Sequence, residues 1–197
     1  MIKKGAMFGL DARIALAIFG ALSVISGAAL YSAVQTAKAT AVIADMEELG
    51  KAWEQYYLDT GRDFEVFNTD DTDPYYHLFR THYFNSTSGA EGWNGPYLPY
   101  ETTGSYLLCN YEAVCRVFVM RYNSEDWSST TWQNNVCESG KECSMWSRIY
   151  VHAHTKESLA VSIDKIVDNS DGQLTGNFRW DDTGYNLKIA PAKNPYN

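Results

Sequence analysis

The chain has 197 residues, enough for one ordinary domain and an additional segment but short for two full domains. Its formal charge is −8, and the only close basic pair is Lys3-Lys4, so a surface of this sign repels phosphate backbones and nucleic-acid binding by the bulk of the protein is not expected. Hydrophobic residues make up 45% of the chain, with aliphatic residues concentrated before Val42 and aromatic ones after Trp53, which points to two environments for one polypeptide.

The first element in chain order is an apolar run. From Ile14 to Val34, 21 residues carry no charge, long enough as a helix to cross a bilayer core at about 1.5 Å per residue. Lys3, Lys4 and Arg13 precede it, which predicts a cytoplasmic N-terminus and an extracytoplasmic remainder. The run exceeds the apolar core of a secretory signal peptide, and a helical pattern follows it without a break. Ala37, Ala41, Ala44, Leu49, Ala52, Trp53 and Tyr56 recur at three- and four-residue steps, so one helix is expected from about Phe8 to Leu58, apolar all round at first and then amphipathic. Asp11 and Arg13 sit at the head of the apolar block, where a charge is costly and marks function. The small residues Gly20, Ser23, Gly27 and Ala28 allow close approach of neighbouring helices.

The segment Lys3-Lys4-Gly5-Ala6-Met7-Phe8-Gly9-Leu10-Asp11 resembles the prepilin signature of the type IV pilin and type II secretion pseudopilin superfamily. That resemblance implies cleavage between Ala6 and Met7 by prepilin peptidase, with the bond between Gly5 and Ala6 as the alternative. It also implies an acidic register residue at Asp11, which would meet the N-terminal amine of a neighbouring subunit; contact with Arg13 competes with this role. The family usually has Gly before the cut and Glu at the acidic position, whereas this chain has Ala6 and Asp11. The partners implied are copies of the chain itself in a helical filament, the peptidase and inner-membrane assembly machinery, and the inner membrane before assembly. The expected organisation is a leader over 1–6, a membrane or filament-core helix over 7–34, its amphipathic continuation over 35–60, a connecting region over 61–104 and a sheet domain over 105–197.

Thr60-Gly61 reads as a helix stop, and 62–103 as a long loop with one short helix. Within it, Gly92 to Tyr100 is a turn-dense aromatic stretch resembling the W-x-G-P-Y-L element of pseudopilins, with rings expected to cover the sheet edge. Strands are predicted over 105–109, 115–122 and 148–153. Cys109/Cys115 and Cys137/Cys143 read as two local disulfides clamping turns; a four-thiolate zinc site is the competing reading, although it favours closer spacing. The fold class expected is α+β, pilin-like: a long N-terminal helix packed on a small antiparallel sheet.

Residues 155–167 suggest a short helix with Thr155 as cap and Leu159, Ile163 and Ile166 on its buried face. The Asp- and Gly-rich stretch after it resembles a pilin and pseudopilin segment, and major pseudopilins of type II secretion bind calcium in their C-terminal loop. Asp168, Asp171, Asp181 and Asp182 are therefore candidate Ca²⁺ ligands, with a solvated turn as the alternative, because the spacing is not that of an EF-hand. His152 and His154 share a strand face but lack a third ligand, so ordinary surface histidines are expected. No catalytic motif is present, and an enzyme is not expected. A filament subunit, pilin or pseudopilin, is the function the resemblance implies; a single-pass membrane-anchored binding protein or adhesin that does not polymerise is the alternative.

Overall fold

The structure, a computed structural model, describes residues 8–86, 90–111, 113–151 and 155–197. One 53-residue helix, α1 (Phe8–Thr60), opens the chain. The protein divides into two units, Met1–Lys38 and Ala39–Asn197. In the first, the described side chains of α1 are exposed almost throughout, including Leu16, Phe19, Leu22, Val24, Ile25 and Leu30. This helix is long and apolar enough to cross a membrane.

The second unit is a two-layer α+β domain. The later turns of α1 bury Ala39, Val42, Met46, Leu49, Ala52 and Tyr56, spaced three and four apart so that they share one helix face. The expected stripe is corrected upstream: Ala37, Ala41 and Ala44 are exposed. Val42 and Met46 remove more apolar area from water than alanines do, and they set the rotation of the helix. Gly50 completes the contact, because a Cβ there would lie 3.1 Å from the Ile189 side chain.

Six antiparallel strands form one sheet, ordered β1-β2-β3-β4-β6-β5. They are β1 (Glu101–Thr103), β2 (Tyr106–Tyr111), β3 (Ala113–Asn123), β4 (Cys143–Val151), β5 (Phe178–Asp181) and β6 (Gly184–Ala192). Alternation sorts β3 between two cores. Val117 and Val119 join the α1 cluster, while Phe118, Met120 and Tyr122 join a second cluster on the opposite face with Trp127, Trp132 and Trp146. The region 61–104, expected to be mostly loop, contains two 3₁₀ turns, Pro74–His77 and Thr81–Phe84. The aromatic stretch docks on the end of α1 rather than on a sheet edge: Trp93 Nε1 donates to the Tyr83 carbonyl at 3.0 Å, and the Tyr97 hydroxyl donates to Asp59 at 2.8 Å. Its polar tips find partners there while its rings join the α1 core.

Both expected disulfides are present, Cys109–Cys115 and Cys137–Cys143. The first joins directly opposed residues of β2 and β3. The second helix, α2 (Glu157–Val167), buries Ala160, Ile163 and Asp164, whereas Ile166 is 46% exposed, so its inner face is rotated from the expected one. Thr155 is not its cap; its hydroxyl donates instead to the Asp181 carbonyl at 2.8 Å, and Lys156 occupies the cap position.

Candidate functional site

Two polar centres are built around β5, one at each end of that short strand. The first lies between α2 and β5. Asp164 is on the last turn of α2, Asp168 is its C-terminal cap, and Asp171 lies in the loop beyond. The four-residue spacing places Asp164 and Asp168 on one side of the helix end. The loop then turns tightly through Asn169 and Ser170, both with positive φ, which holds Asp171 close to the end of the helix. Oxygens of all three carboxylates lie within 4.8 Å of one another.

The three acids are held differently. Asp168 Oδ2 accepts the backbone N–H groups of Asn177 at 2.8 Å and Phe178 at 2.6 Å, and its Oδ1 accepts the Asn177 amide at 3.2 Å. Asp164 Oδ2 accepts the Gly172 N–H at 3.2 Å. The other Asp164 oxygen has no hydrogen-bond partner, although the residue is only 3% exposed. Burial pushes the Asp164 carboxyl above its ordinary value, and the Asp171 and Asp168 charges add to this against the Gly172 N–H. Gly176 makes the close approach possible. A Cβ there would overlap the Asp171 carboxylate and lie 2.7 Å from Asp168 Oδ2, at a φ of +76°.

An unsatisfied, buried carboxylate oxygen beside two further carboxylates fits a hard divalent cation, which takes oxygen donors. Asp164, Asp168 and Asp171 would hold it. Bound there, Ca²⁺ would neutralise the repulsion among the three acids and tie the end of α2 to the start of β5.

Asp181 and Asp182 do not belong to this set. Asp181, 1% exposed, forms a buried ion pair with Arg148 on the sheet face away from α1. Arg148 Nη2 donates to Asp181 Oδ1 and to Thr183 Oγ1, both at 3.0 Å, and Nη1 donates to Asn186 Oδ1 at 2.7 Å. Burial works to raise the Asp181 carboxyl, but the Arg148 charge and its hydrogen bonds, with those from Thr183, hold it below the usual range. Gly184 leaves room for the guanidinium, whose Nη atoms would be 2.6 Å from a Cβ at that position. Asp182 is exposed in the turn between β5 and β6.

Arg179 is a second buried cation. It lies 4.8 Å above the Trp146 ring and donates to the carbonyls of Ser124, Glu125 and Gly176. It thereby ties the connection between β3 and β4 to the loop carrying the three acids.

Among the other expected site residues, Asp11 and Arg13 are exposed near the start of α1. Gly20, Ser23, Gly27 and Ala28 are also exposed, and a Cβ on either glycine would meet nothing within 4 Å. The Ser23 hydroxyl is occupied, donating to the Phe19 carbonyl at 2.8 Å. Gly5, Ala6 and Met7 of the expected cleavage segment lie outside the described residues, as do His152 and His154. In the sequence Asp164 reads as part of an amphipathic helix, and its spacing from Asp168 and Asp171 is the signal that groups it with them. No protein-family model, no curated protein and no solved structure matches this chain.

Proposed function

We propose that the chain is a structural subunit of a pilin or pseudopilin type, anchored in the inner membrane through α1 and assembled through the same segment into an extracytoplasmic filament. The observation carrying this reading is the exposed apolar surface of α1, on which Ile14, Leu16, Phe19, Leu22, Val24, Ile25 and Leu30 are each half or more exposed. Such a surface is costly in water and calls for lipid or other copies of the helix around it. The small residues Gly20 and Gly27 permit close helix packing, and a head-to-tail contact whose rotation does not close repeats as a helical filament. Asp11 at the head of that surface offers a charge for pairing with a neighbour's amino terminus.

Mass spectrometry of the native N-terminus tests the reading. A chain beginning at Met7 supports a processed subunit, while one retaining Met1 or cut after Val34 refutes it. The Asp11→Ala variant should lose filaments in electron micrographs while the domain beyond Ala39 stays folded. Normal filaments in that variant refute the register role.

A further inference from the structure

On the sheet face away from α1, a groove of about 310 Å³ opens over β3 and β4. Its floor includes the rings of Phe118 and Tyr150, 6.3 Å apart. Trp132 and Tyr75 form one wall, edge to face at 5.5 Å. Tyr75 is 47% exposed, whereas Trp132 is buried with its ring above Arg148. The Asp182-Thr183 turn between β5 and β6 also lines the groove.

The electrostatics of this groove differ from those of the chain. Arg116 and Arg148 line it together with Asp181 and Asp182, so its formal charges cancel in a protein of charge −8. Arg148 and Asp181 are committed to each other. Arg116 instead lies 4.3 Å over the Tyr106 ring, with no carboxylate partner among the described residues. The hydroxyls of Thr130 and Thr131 and the amide of Gln133 line the groove and, within the described residues, make no side-chain hydrogen bond. Aromatic rings are therefore combined with uncommitted hydroxyl and amide groups in an electrically neutral cleft.

We infer that this groove is a binding site for a neutral oligosaccharide. A sugar ring presents C–H faces that pack on aromatic rings, and a rim of hydroxyls that both donate and accept. Tyr75 and Tyr150 offer the apolar platform. Thr130, Thr131, Gln133 and Asp182 offer matching polar groups at its edge, the arrangement in which a few placed polar groups orient a ligand against an apolar lining. An extended peptide is the weaker occupant. β3 and β4 are interior strands paired on both sides, so the groove has no free strand edge for main-chain hydrogen bonds.

The test uses the full chain in phosphocholine micelles, which carry no sugar headgroup. Cellohexaose, mannohexaose and chitohexaose are titrated separately by calorimetry and followed by tryptophan fluorescence. At least one should bind, and Tyr75→Ala and Asp182→Asn should each weaken it about tenfold or more while leaving the thermal midpoint unchanged. The inference is overturned if none of the three binds, if both variants bind as the parent does, or if a decaproline peptide binds where the sugars do not. Should Tyr75→Ala lower the midpoint, Asp182→Asn alone decides, because its side chain is exposed.

Discussion

Replacing Asp164 by Asn separates a cation ligand from a purely structural acid. The substitution keeps the shape and an acceptor for the Gly172 N–H, but removes a charge from a buried position beside Asp168 and Asp171. Because the folded-state carboxyl is raised, the unfolded chain releases its proton first as pH rises. Without metal, stability therefore falls from about the ordinary aspartate value of 3.9 up to the raised folded value, and the loss is fully present above it. At neutral pH the metal-free Asp164→Asn protein should be at least as stable as the parent. Calcium reverses the order. A site loaded at a hundredfold excess over its dissociation constant gains about 2.7 kcal/mol, and for a chain of this size that is a shift of roughly 5–11 °C. Differential scanning calorimetry with chelator and with millimolar calcium reads both arms. The parent should rise by several degrees, and the variant should lose most of that rise. An equal calcium response in the two proteins, or none in the parent, refutes the assignment of Asp164 as a ligand.

Gly176→Ala should cost about 1–2 kcal/mol from the left-handed backbone alone, and overlap of its Cβ with the Asp171 carboxylate should also weaken calcium binding by at least tenfold in a competition titration with a calcium dye. Arg148→Met leaves Asp181 buried without its partner and should cost about 3–5 kcal/mol by urea denaturation, while adding Asp181→Leu should recover much of the loss. Burial, with the nearby Arg121 charge, pushes the His77 imidazole down to about 4. The unfolded chain thus takes up a proton near 6.5 while the folded one does not, so about 2 kcal/mol of stability, discounted for partial solvent screening, should be lost as pH falls from 6.5 to 4. A His77→Gln variant should flatten that window in urea titrations, and an unchanged slope would refute the attribution.

Long-period signals in the sequence survived best. The apolar run and its amphipathic continuation predict α1 closely, since helix periodicity repeated over many residues leaves few alternatives. The two cysteine pairs of equal, short spacing likewise predict the two disulfides. What failed was shorter or depended on tertiary partners. The hairpin over 178–192, closed by the two-residue turn Asp182-Thr183, lies beyond the last strand predicted, 148–153. Their acidic letters joined Asp181 and Asp182 to the metal set, when the strand between them and Asp168 carries Asp181 to Arg148 on the far face of the sheet. Only β5 separates those two centres, and composition does not encode that separation. The outer groove was legible as an abundance of Tyr and Trp but not as a place, because its rings come from four separated segments.

Every described side chain that α1 buries lies at or beyond Ala39. One continuous helix is therefore subject to two unrelated sets of constraints. Downstream of that point, a change such as Met46→Ala is answered by the domain's own core. Upstream, a change such as Leu22→Ala removes no buried core contact, because Leu22 is 58% exposed, and under the proposed function its consequence would be set by lipid or by neighbouring molecules. Substitution tolerance along α1 should change abruptly at this boundary. Folding measurements of the isolated chain register the downstream half; under the proposed function, insertion and assembly would register the other.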